Sequence, residues 1–186
     1  WPVLPDILSQ FRGEDAELFL SYYDLLLQAN AFEEFPKPDL ILQIGGKLSS
    51  QSLLKQLQTW AVTEYFQILP YHGCEDPFSL TQRCFYSRDY RCLDQLRRGL
   101  GKKPRDGGLK SGREINARVQ SFCADFMTSL KPDSELKMIW ALSSCIPSSQ
   151  LLFLSNSLPI RLFNFIASLD FSNKVFSNRG ASGIDG

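Results

Sequence analysis

Short apolar runs alternating with longer amphipathic stretches predict an α/β fold, an open, mainly parallel sheet with helices on both faces. Runs such as Leu40-Ile41-Leu42-Gln43-Ile44 and Leu151-Leu152-Phe153-Leu154 have strand length, and each leads through a polar or glycine-rich turn into a segment of helical periodicity. The composition, 44% hydrophobic and 22% charged in 186 residues, suits a globular core and excludes disorder and coiled coil.

Pro2 to Leu8 reads as a first strand or extended lead-in. Ala16, Phe19, Leu20, Tyr23, Leu26 and Leu27 then recur at three- and four-residue spacing, which predicts a helix. Phe35-Pro36-Lys37-Pro38 interrupts the chain, because proline lacks the amide donor and restricts the residue before it. The strand Leu40 to Ile44 ends at Gly45-Gly46, and Ser49 or Ser50 caps a helix carrying Leu53, Leu54, Leu57 and Trp60. Tyr65 to Leu69 and Arg83 to Tyr86 are further strands, the second followed by a short helix with Leu93, Leu96 and Leu100. Gly99 to Gly112 is rich in glycine and basic residues and predicts a surface loop. A long helix follows, with Ile115, Val119, Phe122, Phe126 and Leu130 on one stripe, then another from about Ser134 to Cys145. After the strand Leu151 to Leu154, Ser157 caps and Pro159 starts a helix running to Leu169, and Lys174 to Ser177 is a last strand.

Charge and cysteine usage limit the function classes. Twenty basic and 20 acidic side chains give no net field, so nucleic acid and anionic membrane are not expected partners. No apolar run is long enough to span a bilayer, and no charged segment followed by a hydrophobic stretch opens the chain. Five cysteines (Cys74, Cys84, Cys92, Cys123 and Cys145) without C-x-x-C spacing argue against a disulfide framework or a zinc site. The expected location is therefore a reducing compartment, the cytoplasm. His72 is the single histidine and has no neighbouring nucleophile in sequence, so a structural role is expected. The cluster Arg97, Arg98, Lys102, Lys103, Arg105 and Lys110 has no interleaved aromatic platform and reads as a solvated surface.

Three strand-to-helix loops can carry a site, because parallel sheets bind ligands beyond the carboxyl ends of their strands. Gly45-Gly46-Lys47-Leu48-Ser49-Ser50 allows close backbone approach to an anion, although tight-turn geometry alone also accounts for two glycines. In Asn156-Ser157-Leu158-Pro159-Ile160-Arg161, Arg161 lies one turn from a helix start. A cation there does not complement the helix dipole, but it is well placed for a carboxylate or phosphate; a surface arginine beside an ordinary cap is the competing reading. Asn178-Arg179-Gly180-Ala181-Ser182-Gly183-Ile184-Asp185-Gly186 packs three glycines, a serine and an arginine after a strand, a pattern suited to close contact with a ligand. Trp1 at the start and this loop at the finish suggest a piece of a longer protein. On its own residues, the chain reads as a binding domain without an internal catalytic constellation.

The second and third loops also carry a resemblance. Leu152-Phe153-Leu154-Ser155-Asn156-Ser157-Leu158-Pro159-Ile160-Arg161 and Phe176-Ser177-Asn178-Arg179-Gly180-Ala181-Ser182-Gly183-Ile184-Asp185-Gly186 closely resemble the 2-succinyl-5-enolpyruvyl-6-hydroxy-3-cyclohexene-1-carboxylate synthases, menaquinone-pathway thiamine-diphosphate enzymes. Weaker agreement runs through Pro2 to Arg12, Gln43 to Leu48 and Asp76-Pro77, so the similarity spans the chain. The resemblance implies residues 1–172 as a central α/β domain and 173–186 as the truncated start of a diphosphate-binding domain. It implies a transferase reaction, with magnesium and thiamine diphosphate, that decarboxylates 2-oxoglutarate and joins the product to isochorismate. The implied substrate-binding residues are Asn156, Ser157, Arg161 and Arg179, and the implied cofactor-binding residues are Gly183 and Ile184, the isoleucine propping the bent thiamine. The family's catalytic glutamate and magnesium ligands belong to neighbouring domains, so no catalytic or metal-binding residue is expected here and the isolated chain should be inactive. Many relatives carry a basic residue or two where this chain has Gln51 and Ser52, which implies one anion contact fewer. Small carboxylates are the expected partners, and a homo-oligomer, dimer or tetramer, the expected assembly. The alternative from another class is a non-catalytic regulatory or nucleotide/effector-binding domain; an acetolactate-synthase relative is less compatible with the last loop.

Overall fold

The structure, a computed structural model, describes residues 2–13, 17–31, 37–60, 62, 64–89, 91–100, 112–170 and 172–178. The chain divides into two compact units, neither continuous in sequence. One comprises Trp1–Phe32, Leu48–Leu53 and Leu109–Gly186, the other Glu33–Lys47 and Leu54–Gly108.

The second unit is built on a parallel sheet of order β1-β2-β3, formed by β1 (Leu40–Ile44), β2 (Glu64–Leu69) and β3 (Arg83–Tyr86). Helix α2 (Gln51–Trp60) connects β1 to β2, and α3 (Arg91–Leu100) follows β3. Tyr65, Ile68 and Leu69 on β2 are buried apolar groups, as the run of large apolar residues in a central strand requires. Buried with them are Gln43 and Gln67, whose amides are satisfied within the unit: the Tyr65 hydroxyl donates to Gln43 Oε1, and Gln67 Nε2 donates to the Glu75 carbonyl at 3.0 Å. Burial pushes the Tyr65 phenol up to about 12.

The first unit contains α1 (Tyr23–Gln28), α4 (Gly112–Ser129), α5 (Glu135–Cys145), β4 (Leu151–Leu154), α6 (Leu158–Ile166) and β5 (Lys174–Ser177). Strands β4 and β5 pair in parallel. Their alternation is clear: Leu154 and Val175 are buried, whereas Leu151, Phe153 and Phe176 are exposed. The core joins Ile7, Leu154, Ile160, Phe163, Ala167 and Val175, with a second cluster of Cys123, Met127 and Ile166 beside Val119, Leu130 and Trp140. Parallel strands with intervening helices thus make the fold the expected α/β class.

Several local expectations change. The segment Pro2 to Leu8 is not a strand but makes one parallel bridge, Val3 to Phe19. That bridge takes Phe19 out of the predicted helix, since the Leu20 amide donates to the Val3 carbonyl at 2.9 Å, and α1 begins only at Tyr23. Ala16, Phe35, Pro36 and residues 101–111 lie outside the described residues. On α4 the larger aromatics do not face the core: Phe122 and Phe126 are exposed and stack on each other at 6.1 Å. Cys123 and Met127, one position on, are buried instead. Helix α6 ends at Ile166 rather than Leu169, where the Ala167 amide donates to the Phe163 carbonyl at 3.0 Å.

Candidate functional site at the carboxyl ends of β4 and β5

The apolar run Leu151 to Leu154 forms β4, and polar Ser155, Asn156 and Ser157 turn the chain into α6. Pro159 occupies the first turn of α6, where its missing amide costs nothing. Ile160, Phe163 and Ile166 bury one face of the helix. Arg161 is left on the exposed side, one turn along, and among the described residues no carboxylate pairs with it.

Asn156 links the two strand ends. Its Nδ2 donates to the Asn178 carbonyl at 3.4 Å, and its Oδ1 accepts from the Ser177 hydroxyl at 3.2 Å. The turn after β4 and the chain leaving β5 are thereby held side by side. Ser157 occupies the N-cap position of α6, but its hydroxyl makes no capping hydrogen bond. Its backbone has φ 68° and ψ −122°, a conformation ordinarily taken by glycine. Arg179, Gly183 and Ile184 lie outside the described residues. Amide, hydroxyl and guanidinium donors beside a helix start suit anionic oxygens, not a hard cation. No group of three or more His, Cys, Asp or Glu residues that could hold a metal occurs among the described residues.

The Gly45-Gly46 loop is tied inward by its own unit. Gln43 Nε2 donates to the Gly46 carbonyl at 2.6 Å, Gly45 has φ 91°, and a Cβ on Gly46 would lie 2.4 Å from the Tyr71 hydroxyl oxygen. Turn geometry and close packing therefore account for both glycines. Gln51 is exposed and Ser52 half-buried at the start of α2. His72 stacks on Tyr86 at 4.1 Å, and Arg98 is exposed. Lys102, Lys103, Arg105 and Lys110 lie outside the described residues.

A buried polar network behind α6 escaped the sequence reading. Asn164, fully buried, accepts the Ile7 amide on Oδ1 at 2.9 Å and donates from Nδ2 to Asp24 Oδ2 at 3.0 Å. Asp24 Oδ1 accepts from the Ser50 hydroxyl at 2.8 Å, and the same Ser50 oxygen caps α2 by accepting the Leu53 amide at 2.9 Å. Asp6 accepts both the amide and the hydroxyl of Ser49. Arg12 Nη2 donates to the Asn164 carbonyl at 2.7 Å, while its guanidinium lies 5.6 Å from the Tyr22 ring centroid. Burial lowers the Arg12 pKa against the opposing fields of Tyr23, Tyr22, Asp6 and Asp24. Burial likewise raises Tyr23 far above the ordinary phenol range. This network grips α6 through its second turn and so orients the start of the helix. Its only sequence signal is polar residues at helical core phase, such as Asn164 beside Phe163 and Ile166.

The family model for the "middle domain of thiamine pyrophosphate" matches residues 1–154. The chain belongs to this family. As a middle domain it is 30% identical over 187 residues to the 2-succinyl-5-enolpyruvyl-6-hydroxy-3-cyclohexene-1-carboxylate synthase of Psychromonas ingrahamii, covering 100% of this chain and 31% of that protein. It is 30% identical over 191 residues to the synthase of the same name from Bacillus velezensis, with 100% and 32% covered. The Listeria innocua synthase of that name is 25% identical over 190 residues, with 100% and 33% covered. The chain thus spans about a third of the length of these curated relatives.

Proposed function

We propose that this chain is the central part of a 2-succinyl-5-enolpyruvyl-6-hydroxy-3-cyclohexene-1-carboxylate synthase and supplies substrate-binding groups from the carboxyl ends of β4 and β5. The observation that carries the reading is the Asn156 bridge to Ser177 and Asn178, which brings the Arg161 helix beside the chain leading to Arg179. Similarity to the synthases over the whole chain supports the same reading. In this account residues 1–172 are the central domain, and 173–186 open the diphosphate-binding domain. Asn156, Ser157, Arg161 and Arg179 receive the carboxylates of 2-oxoglutarate and isochorismate. Arg161 is suited to this because it is exposed and its planar guanidinium matches a carboxylate bidentately. Gly183 and Ile184 lie against thiamine diphosphate, which with Mg2+ supplies the decarboxylation and carbon–carbon bond chemistry when bound. The complete protein is a cytoplasmic homo-oligomer, dimer or tetramer.

The test is Arg161→Ala in the full-length enzyme, assayed with 2-oxoglutarate and isochorismate. Losing a charged hydrogen bond costs about 1.5–3 kcal/mol, which is roughly a 10–150-fold fall in kcat/KM. Unchanged kinetics would remove Arg161 from the site and with it the assignment of this strand edge.

A further inference from the structure

Away from that site, in the three-stranded unit, two thiols share one acceptor. Cys74 Sγ lies 3.6 Å and Cys84 Sγ 3.9 Å from Gln67 Oε1, so the two sulfurs converge on one oxygen. Cys84 is on β3, directly opposite Gln67 of β2 in the parallel register, and Cys74 is on the turn that follows β2. Neither is in a disulfide, and both residues are exposed. Gln67 itself is fully buried and pins the same turn, its Oε1 accepting the Glu75 amide at 3.0 Å and its Nε2 donating to the Glu75 carbonyl at 3.0 Å. One buried amide therefore holds two thiols from two segments at a common point.

We propose that Cys74 and Cys84 form a reversible disulfide, a redox modification that clamps the turn after β2 onto β3. The turn it would immobilise carries Tyr71, whose hydroxyl packs against Gly46 in the loop after β1. The clamp thus acts on the glycine loop at the carboxyl edge of this sheet. Chemically, a Cys74 thiolate attacks glutathione disulfide, forming a mixed disulfide and releasing one glutathione thiolate. The Cys84 thiolate then attacks the Cys74 sulfur and releases the second glutathione. Two thiols lose two protons and two electrons, one S–S bond forms, and glutathione disulfide is reduced to two thiols. Burial and the Cys74 thiol push the Cys84 thiol up to about 11. A thiol of high pKa is a strong nucleophile once deprotonated and a poor leaving group, so the disulfide opens slowly and reverses only in a more reducing glutathione buffer. The inference stands independently of the substrate reading, since none of its atoms belongs to the β4 and β5 edge.

The experiment equilibrates the full chain in glutathione buffers of stepped ratio, quenches with acid, alkylates and digests with trypsin. Cleavage after Arg83 puts Cys74 and Cys84 on separate peptides, so the bond is read as a linked pair. The linked pair is expected to be half-formed in a buffer about tenfold more reducing than the one that modifies Cys92 or Cys145. Hydrogen exchange of residues 71–75 should slow in the oxidised form. Cys74→Ser, which keeps a donor for Gln67, should abolish the linked pair. Separate glutathione adducts on Cys74 and Cys84 without linkage, or linkage that leaves exchange of 71–75 unchanged, would overturn the proposal.

Discussion

Ser157 stands at a helix start with the residue type of an N-cap and none of its bonding, and that mismatch has a measurable consequence. An ordinary serine cap loses about 1 kcal/mol when replaced by alanine. Here the hydroxyl accepts no helix amide, so Ser157→Ala should cost no more than a few tenths of a kcal/mol. Ser157→Gly should go the other way. A non-glycine residue at φ 68°, ψ −122° carries strain of about 1–3 kcal/mol, and glycine relieves it while adding roughly 0.5–1 kcal/mol of unfolded-state entropy. The net gain is about 1 kcal/mol, or about 2–4 °C in Tm for a chain of this size. Urea and thermal melts of the two variants, run in parallel with the parent, test this directly. A cost of about 1 kcal/mol for alanine together with a loss for glycine would refute both the missing cap and the strain. If the strain instead serves ligand binding, the stabilised glycine variant should bind carboxylate substrates more weakly in the full-length enzyme.

Three further outcomes follow from the packing. Ser50→Ala removes the α2 cap and strands buried Asp24 Oδ1, so it should cost about 2–3 kcal/mol in a urea melt. A Cβ at Gly112 would lie 2.5 Å from the Phe19 carbonyl oxygen and 2.6 Å from that of Glu17. Gly112→Ala should therefore cost about 1–3 kcal/mol, whereas exposed Gly99→Ala in α3, with nothing within 4 Å, should gain about 0.5–1 kcal/mol. For Asp76, desolvation is outweighed by bonds from the Thr81 and Phe78 amides, which hold its carboxyl below the ordinary 3.8. Its stabilising effect is present above the unfolded value and is lost as pH falls through the folded one. The parent should consequently lose stability more steeply than Asp76→Asn between about pH 4 and pH 2, as read by urea midpoints.

What could be read from the sequence was what is local. Leu40 to Ile44, Arg83 to Tyr86 and Leu151 to Leu154 declare themselves as strands because a short apolar run between turn residues has few other uses. Ser50 declares itself as a cap because its partner, Leu53, is three residues away. Asn156 was visible as a turn residue, but its bridge to the end of β5 depends on strand pairing that no local pattern encodes. The Asn164 network was hidden for the same reason, since Ile7 and Asn164 are 157 residues apart. Phe122 and Phe126 continue the apolar stripe in sequence but not in space: Cys123 and Met127, with Val119 and Leu130 of the same stripe, face the core. Phe19 misled because bridging to Val3 satisfied backbone groups that a helix would otherwise have used.

The interleaving of the two units bears on how the molecule is made. By the time β3 leaves the ribosome, every strand of the three-stranded sheet has been synthesised, and that sheet can assemble at once. The other unit must wait. Ile7 cannot find Asn164, nor Gln10 the backbone of Val175, until almost the whole chain has emerged. At about 5–20 residues per second the amino-terminal segment spends roughly 8–30 s without its partners. During that interval Ile7 and Leu20, fully or almost fully enclosed in the finished fold, are open to solvent, and to any chaperone that arrives first.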